Sequence, residues 1–316
     1  MSAPAPLAGT TLAPPVLLEG PKGTELQRLG RPVTRPWWTS EALLHDEGRE
    51  QLRAVHGAYR EAGAALVTAN TFRTNVRALR RAGADEELSR TLVRRAVDDA
   101  RAAAGDGASG TRRVPVAACV TTADDCYRPD LTPPDDVLAA EHGWLVDRLA
   151  EEKADLVLAE TMNTAREAVV VTDLCRRAGL PVWVSFVCRE GGRLLSGEDL
   201  GEAARAVAAA GAGAVLVNCV ALADLDAALD ALAAARPGPI GAYPNLEDRS
   251  GIEEWTPVNR YVPVACPPQE FADLMAGRIE RYGLDIVGGC CGTTPAHVAA
   301  LHGRLAPDGL SGGAPS

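Results

Sequence analysis

Eight cysteines occur in the 316-residue chain, and three of them fall where chemistry is expected. Cys290 and Cys291 are adjacent in Gly288-Gly289-Cys290-Cys291-Gly292, and Cys219 closes the run Val217-Asn218-Cys219. Neighbouring side chains on an extended strand point to opposite sides. The flanking glycines let the backbone leave strand geometry, so both thiols can face one point. A third thiol at another strand end completes a donor set for a soft metal. Zn2+ takes thiolate sulfur at about 2.3 Å in a tetrahedron, and three protein ligands leave one corner open. Three anionic sulfurs make the ion a poor activator of water but a good holder of a further thiol. A free thiol ionises only at about pH 8.5, and coordination deprotonates it outright. Alkylation of a substrate thiol, with Zn2+ as cofactor, is the chemistry to expect. The alternative reading is that the three are small buried hydrophobes. The remaining five lack this constellation: Cys175 and Cys188 read as packing, Cys119 and Cys126 are candidates for a pocket lining, and Cys266 is given no role.

A carboxylate belongs to the same set. Glu160 ends the apolar run Asp155-Leu156-Val157-Leu158-Ala159, so it projects from a strand end, where an ammonium partner would offset its desolvation. A structural ion pair with an arginine is the competing explanation.

These side chains need a scaffold that gathers strand ends. Short apolar runs at 16–19, 65–69, 114–120, 155–160, 181–187, 214–219, 239–243 and 284–288 alternate with helical patterns along the chain. The runs are continuous rather than alternating, as befits strands buried on both faces. The helical patterns cover 40–62, 85–104, 135–152, 164–178, 199–210, 222–235, 268–282 and 295–305. Ser40, Thr164 and Thr294 are expected caps. Gly63, Gly179, Gly211 and Gly283 are expected helix stops. Eight strand-helix units predict an α/β fold, a single (β/α)8 TIM-type barrel with the site at the C-terminal strand ends. A doubly wound sheet is the alternative, but no phosphate-binding glycine loop follows a strand. The Pro-rich stretch 243–268 is expected to be a large loop at those strand ends. Residues 1–15 are expected to be a mobile arm, 16–306 the barrel and 307–316 a flexible tail.

Composition narrows the function. With 32 basic and 42 acidic residues the net charge is -10, which disfavours nucleic acid. No run is apolar enough for a membrane span. The first residues lack the features of a secretory signal, so reduced cysteines and a cytoplasmic location are expected.

The motif Gly288-Gly289-Cys290-Cys291-Gly292-Thr293-Thr294-Pro295, with Val217-Asn218-Cys219, resembles the homocysteine S-methyltransferases, zinc-dependent (β/α)8 enzymes. Gly23-Thr24-Glu25-Leu26, Ala69-Asn70-Thr71-Phe72, Ala159-Glu160-Thr161 and Tyr243-Pro244-Asn245 are similar to that family's other motifs. The resemblance implies that Cys219, Cys290 and Cys291 hold zinc and that Glu160 binds the amino group of homocysteine. It further implies a substrate seat built from Glu19, Gly20, Thr68, Asn70, Thr71, Phe72 and Asn218. The partners would be homocysteine and a methyl donor such as S-methylmethionine, S-adenosylmethionine or betaine; homo-oligomerisation stays open. Two segments depart from the family. Glu19-Gly20-Pro21-Lys22 replaces an Asp-Gly-Gly opening, and Lys22 reads either as a solvated cation or as a partner for a substrate carboxylate. The run 119–127 replaces a Gly-Pro-Tyr-Gly stretch found in members that use sulfonium donors. Trp37, Trp38, Trp255 and Tyr127 are candidates to wall a cationic donor, with loop packing as the alternative for Trp37 and Trp38. Another small thiol or selenol as acceptor, or a non-catalytic zinc- or thiol-binding role, are the rival functions. His45, His56 and His142 read as surface or packing, and His297 and His302 as too far apart around their helix to form a pair.

Overall fold

In the computed structural model, which describes residues 12–105, 113–252 and 258–306, apolar runs become strands and amphipathic runs become helices in strict succession. The strands are β1 (Val16–Leu17), β2 (Val67–Ala69), β3 (Val116–Val120), β4 (Leu156–Met162), β5 (Val182–Phe186), β6 (Cys188–Arg189), β7 (Arg193–Leu194), β8 (Ala214–Ala221), β9 (Ile240–Asn245) and β10 (Ile286–Val287). The helices are α1 (Lys22–Arg28), α2 (Asp46–Glu61), α3 (Val76–Arg81), α4 (Glu86–Ala103), α5 (Asp135–Glu151), α6 (Ala165–Arg177), α7 (Leu200–Ala210), α8 (Leu225–Ala235), α9 (Pro268–Tyr282) and α10 (Pro295–Leu305).

Eight strands pair in parallel in the order β1-β10-β9-β8-β5-β4-β3-β2. A parallel bridge between Leu18 and Leu66 joins the two ends, and the Ala65 N–H donates to the Leu17 carbonyl at 2.8 Å. The ring is thereby closed, and the fold is the (β/α)8 barrel. β6 and β7 form a separate antiparallel hairpin between β5 and α7.

Two apolar layers hold it. Val16, Leu18, Leu66, Ala117, Leu156, Leu158, Trp183, Ala214, Leu216 and Ile286 fill the barrel interior. The alternate residues of the same strands, such as Leu17, Val157, Val215 and Val287, pack outward against the helices. Strand pleating sets this division.

Local sequence explains most boundaries. Thr164, Asp85, Asn75 and Asp199 accept hydrogen bonds from the backbone three residues on, and Gly63, Gly179, Gly211 and Gly283 all have positive φ. Three expectations are corrected and two short helices are added. The helix expected over 40–62 begins instead as a 3-10 turn, Trp38–Leu43, and restarts at α2 after an extended His45. Ser40 is buried inside that turn rather than capping a helix. α1 and α3 have seven and six residues, too few for a periodic apolar pattern to show. β9 runs on to Asn245 through Pro244, whose carbonyl accepts from the Cys290 N–H at 2.8 Å. The 243–268 loop folds back on itself, with Glu247 bridged to Val264 and the Leu246 N–H donating to the Cys291 carbonyl. Among the described residues no helix is long and apolar enough to cross a membrane.

Candidate functional site

Pleat parity decides what the barrel presents at its C-terminal end. Leu156 and Leu158 point inward, and two residues further along β4 Glu160 continues that side. By the same count β8 brings Asn218 inward after Ala214 and Leu216, and β3 brings Cys119 inward after Ala117. Cys219 should therefore face outward. It does not, because the β8–β9 register shifts between Asn218 and Ala221 and Cys219 takes a left-handed φ of 58°. This bulge swings the thiol to the rim.

A matching shift interrupts β4–β5 between Ala159 and Met162, with Thr161 at φ 59°. Asn218 ties the two irregularities together. Its Oδ1 accepts from the Thr161 N–H at 3.0 Å and from the Ser185 hydroxyl at 2.7 Å, and its Nδ2 donates to Thr161 Oγ1 at 2.9 Å. Nδ2 also lies 3.9 Å from Cys290 Sγ.

Cys290 and Cys291 arrive from the segment after β10. Gly292 sits at φ 82°, and a Cβ there would lie 2.9 Å from the Glu247 backbone nitrogen, so the turn demands glycine. Cys219 Sγ is 3.8 Å from Cys291 Sγ, which is 4.0 Å from Cys290 Sγ. The three donor atoms all lie within 4.8 Å of one another. Tetrahedral coordination at about 2.3 Å separates sulfurs by about 3.8 Å, so this set fits one soft ion with little movement. Hydrogen bonds from Cys290 and Cys291 hold the Cys219 pKa well below that of an ordinary thiol, and Cys219 in turn pushes both partners up. The Tyr127 hydroxyl lies 3.4 Å from Cys219 Sγ, and the Cys219 charge, followed by burial, raises its pKa.

A cavity of about 230 Å3 lies beside the thiols. Glu19, Gly20, Thr68, Asn70, Phe72 and Glu160 line it, whereas Thr71 and Asn218 stand behind its wall. Thr71 donates to the Cys119 carbonyl at 2.7 Å. Asn70 donates to the Thr39 carbonyl at 2.9 Å. Gly20 lies flat against Tyr59, where a Cβ would come within 2.5 Å of the ring. Burial raises the Glu160 pKa despite Lys22, the Cys119 thiol and the Tyr243 hydroxyl at 3.3 Å.

Glu19 is buried and engaged on every side. Oε1 accepts from Lys22 Nζ at 3.0 Å and the Thr68 N–H at 2.7 Å, and Oε2 meets His56 Nδ1 at 2.9 Å. Burial opposes its ionisation, but Lys22 and His56 outweigh that and lower its pKa. The solvated reading of Lys22 is corrected, since its side chain is only 13% exposed. Burial works against its charge, and Glu19 and Glu160 more than offset this, raising its pKa.

The reading of Trp38 changes. The Arg35 and Arg73 guanidiniums lie over the Trp38 ring at 5.7 and 5.6 Å, so a donor cation does not have that ring to itself. Trp255 lies outside the described residues. For His142 and His56 the packing reading holds: His142 is fully buried and pairs with Glu167 Oε1 at 2.8 Å, as His56 pairs with Glu19. Cys126 lines the cavity, and burial pushes its thiol up to about 12. Cys175 and Cys188 are buried away from it, each likewise at about 12. Tyr243, Arg73 and Arg249 also line the cavity and were absent from the substrate seat expected from sequence. Only Tyr243 carried a signal, two residues beyond the inward-facing Gly241 on β9.

A (β/α)8 barrel with a three-thiol cluster and a buried carboxylate at its C-terminal rim defines a class of metal-assisted thiol enzymes. The homocysteine S-methyltransferase family model matches residues 16–305, and the chain belongs to that family. It is 29% identical over 308 residues to homocysteine S-methyltransferase 4 of Zea mays, covering 90% of this chain and 87% of the relative. It is 27% identical to the selenocysteine Se-methyltransferase of Brassica oleracea var. italica, covering 92% and 88%. The metallated crystal form of the Escherichia coli homocysteine methyltransferase MmuM superposes with a TM-score of 0.77 at 28% identity, covering 92% of this chain and 96% of that one.

Proposed function

We propose that the protein moves a methyl group from a sulfonium or ammonium donor to the thiol of homocysteine, giving methionine, with Zn2+ held by Cys219, Cys290 and Cys291. The observation that carries this reading is the convergence of three thiols, remote in sequence, within 4.8 Å beside a cavity. Zinc held there would supply deprotonation of the substrate thiol and keep its sulfur electron-rich.

The chain's own residues do the rest. Glu160 binds the acceptor's ammonium, and the raised pKa it carries when alone is relieved by that cation. Glu19, held by the Thr68 N–H and by His56, anchors Lys22 at the cavity wall. The Tyr127 hydroxyl, 3.4 Å from Cys219 Sγ, holds that thiol at the rim. In the transfer the acceptor sulfur supplies an electron pair to the methyl carbon, and the donor heteroatom keeps the pair of the bond that breaks. No further base is needed, and positioning accounts for much of the rate.

The test is a panel of homocysteine against S-methylmethionine, S-adenosylmethionine, betaine and methylcobalamin with zinc-loaded protein. Methionine should form with at least one donor, cease after chelation and return with Zn2+. Protein carrying one zinc per chain that methylates no thiol or selenol with any donor contradicts the proposal.

A further inference from the structure

We propose, on the strength of the thiol-acceptor reading above, that Lys22 is a carboxylate subsite, holding the α-carboxylate of an amino-acid thiol whose ammonium faces Glu160. An ammonium has three N–H donors, and Lys22 places one on Glu19 Oε1 at 3.0 Å. The other two remain for a ligand in the cavity that Lys22 lines with Glu160 and the three thiols. The cation is held in place rather than drifting on its stem. Its partner Glu19 is itself anchored by the Thr68 N–H and by His56 from α2, and the Lys22 side chain is nearly out of solvent. The cavity thus offers a cation, an anion and a soft-donor cluster, complementary to the three ends of a zwitterionic thiol. The alternative is that Lys22 only balances the charge of Glu19.

Titration calorimetry on metal-loaded full-length protein separates the two, using homocysteine and 3-aminopropane-1-thiol, the same molecule without its carboxylate. The parent should bind homocysteine about 10- to 100-fold more tightly, the scale of a charge-assisted contact. K22M should bring that ratio to about one, and K22R should keep most of it. Because K22M leaves Glu19 buried without its cation, the double variant E19Q/K22M serves as a charge-neutral control and should also give a ratio near one. A ratio unchanged in K22M and in the double variant overturns the subsite, as does its loss in R73Q alone. Parent protein that binds neither thiol defeats the acceptor reading itself, and the subsite with it.

Discussion

β4 and β8 both break their pleat at the rim, at Thr161 (φ 59°) and Cys219 (φ 58°), yet they use the break differently. On β4 the chemically capable residue, Glu160, precedes the strained position and reaches the cavity by ordinary alternation. On β8 the strained residue is itself the thiol, and the residue before it, Asn218, is structural. A carboxylate has a long stem and can be delivered by a regular strand. A thiol one bond from Cβ must be turned by the backbone. Left-handed backbone at a non-glycine residue costs about 1–3 kcal/mol and persists only when its surroundings impose it; Asn218 braces the one at Thr161 with two hydrogen bonds.

Removing the thiol that depends on the bulge is expected to have the largest effect. C219A should drop metal content from about one ion per chain to near zero and lower methyl transfer by at least about a thousandfold, read by elemental analysis and turnover. Retained metal at full stoichiometry would refute the ligand set. N218A comes next, since it leaves the Thr161 N–H and the Ser185 hydroxyl unsatisfied in a buried place. A loss of about 2–4 kcal/mol in denaturant unfolding is expected, with metal affinity reduced about 10- to 100-fold. Full stability in N218A means the bulges hold themselves.

On the regular strand, E160Q should raise the KM for homocysteine about tenfold or more while leaving metal content unchanged. Burial raises the Glu160 pKa, so its folded-state contribution to stability is present below the unfolded carboxyl value of about 4.3. That contribution is lost as pH rises through the higher folded value. E160Q should therefore melt above the parent at neutral pH, with the gap closing below about pH 4. A gap that widens on acidification has the wrong sign. The smallest effect belongs to T161G, where relief of strain offsets the lost bond to Asn218, giving a net change within about 1 kcal/mol.

How much of this was legible beforehand follows from range. The eight units, their glycine stops and the Asp155–Ala159 parity that delivers Glu160 depend on neighbours a few residues apart. So did the Cys290-Cys291-Gly292 motif, whose flanking glycines let adjacent thiols face one point. The break at His45 and the short α1 and α3 were hidden because they are settled by packing rather than by local periodicity. The choice between surface and packing for His56 and His142 was likewise undecided, since each depends on a glutamate from a distant element. Trp38 offers an open aromatic face when the sequence is read alone, and only the fold lays Arg35 and Arg73 over it.

Composition, alternation and spacing by themselves determined a barrel and the strand ends that would bear its chemistry, because strand and helix periodicity are local properties of the chain. The tertiary structure alone decided that Cys219 turns against its own pleat and that Thr68 and His56 hold the Glu19 carboxylate on which Lys22 rests. It also decided that one amide, Asn218, locks two strands at once. Those outcomes rest on contacts between segments tens to hundreds of residues apart, which form only when the ring has closed.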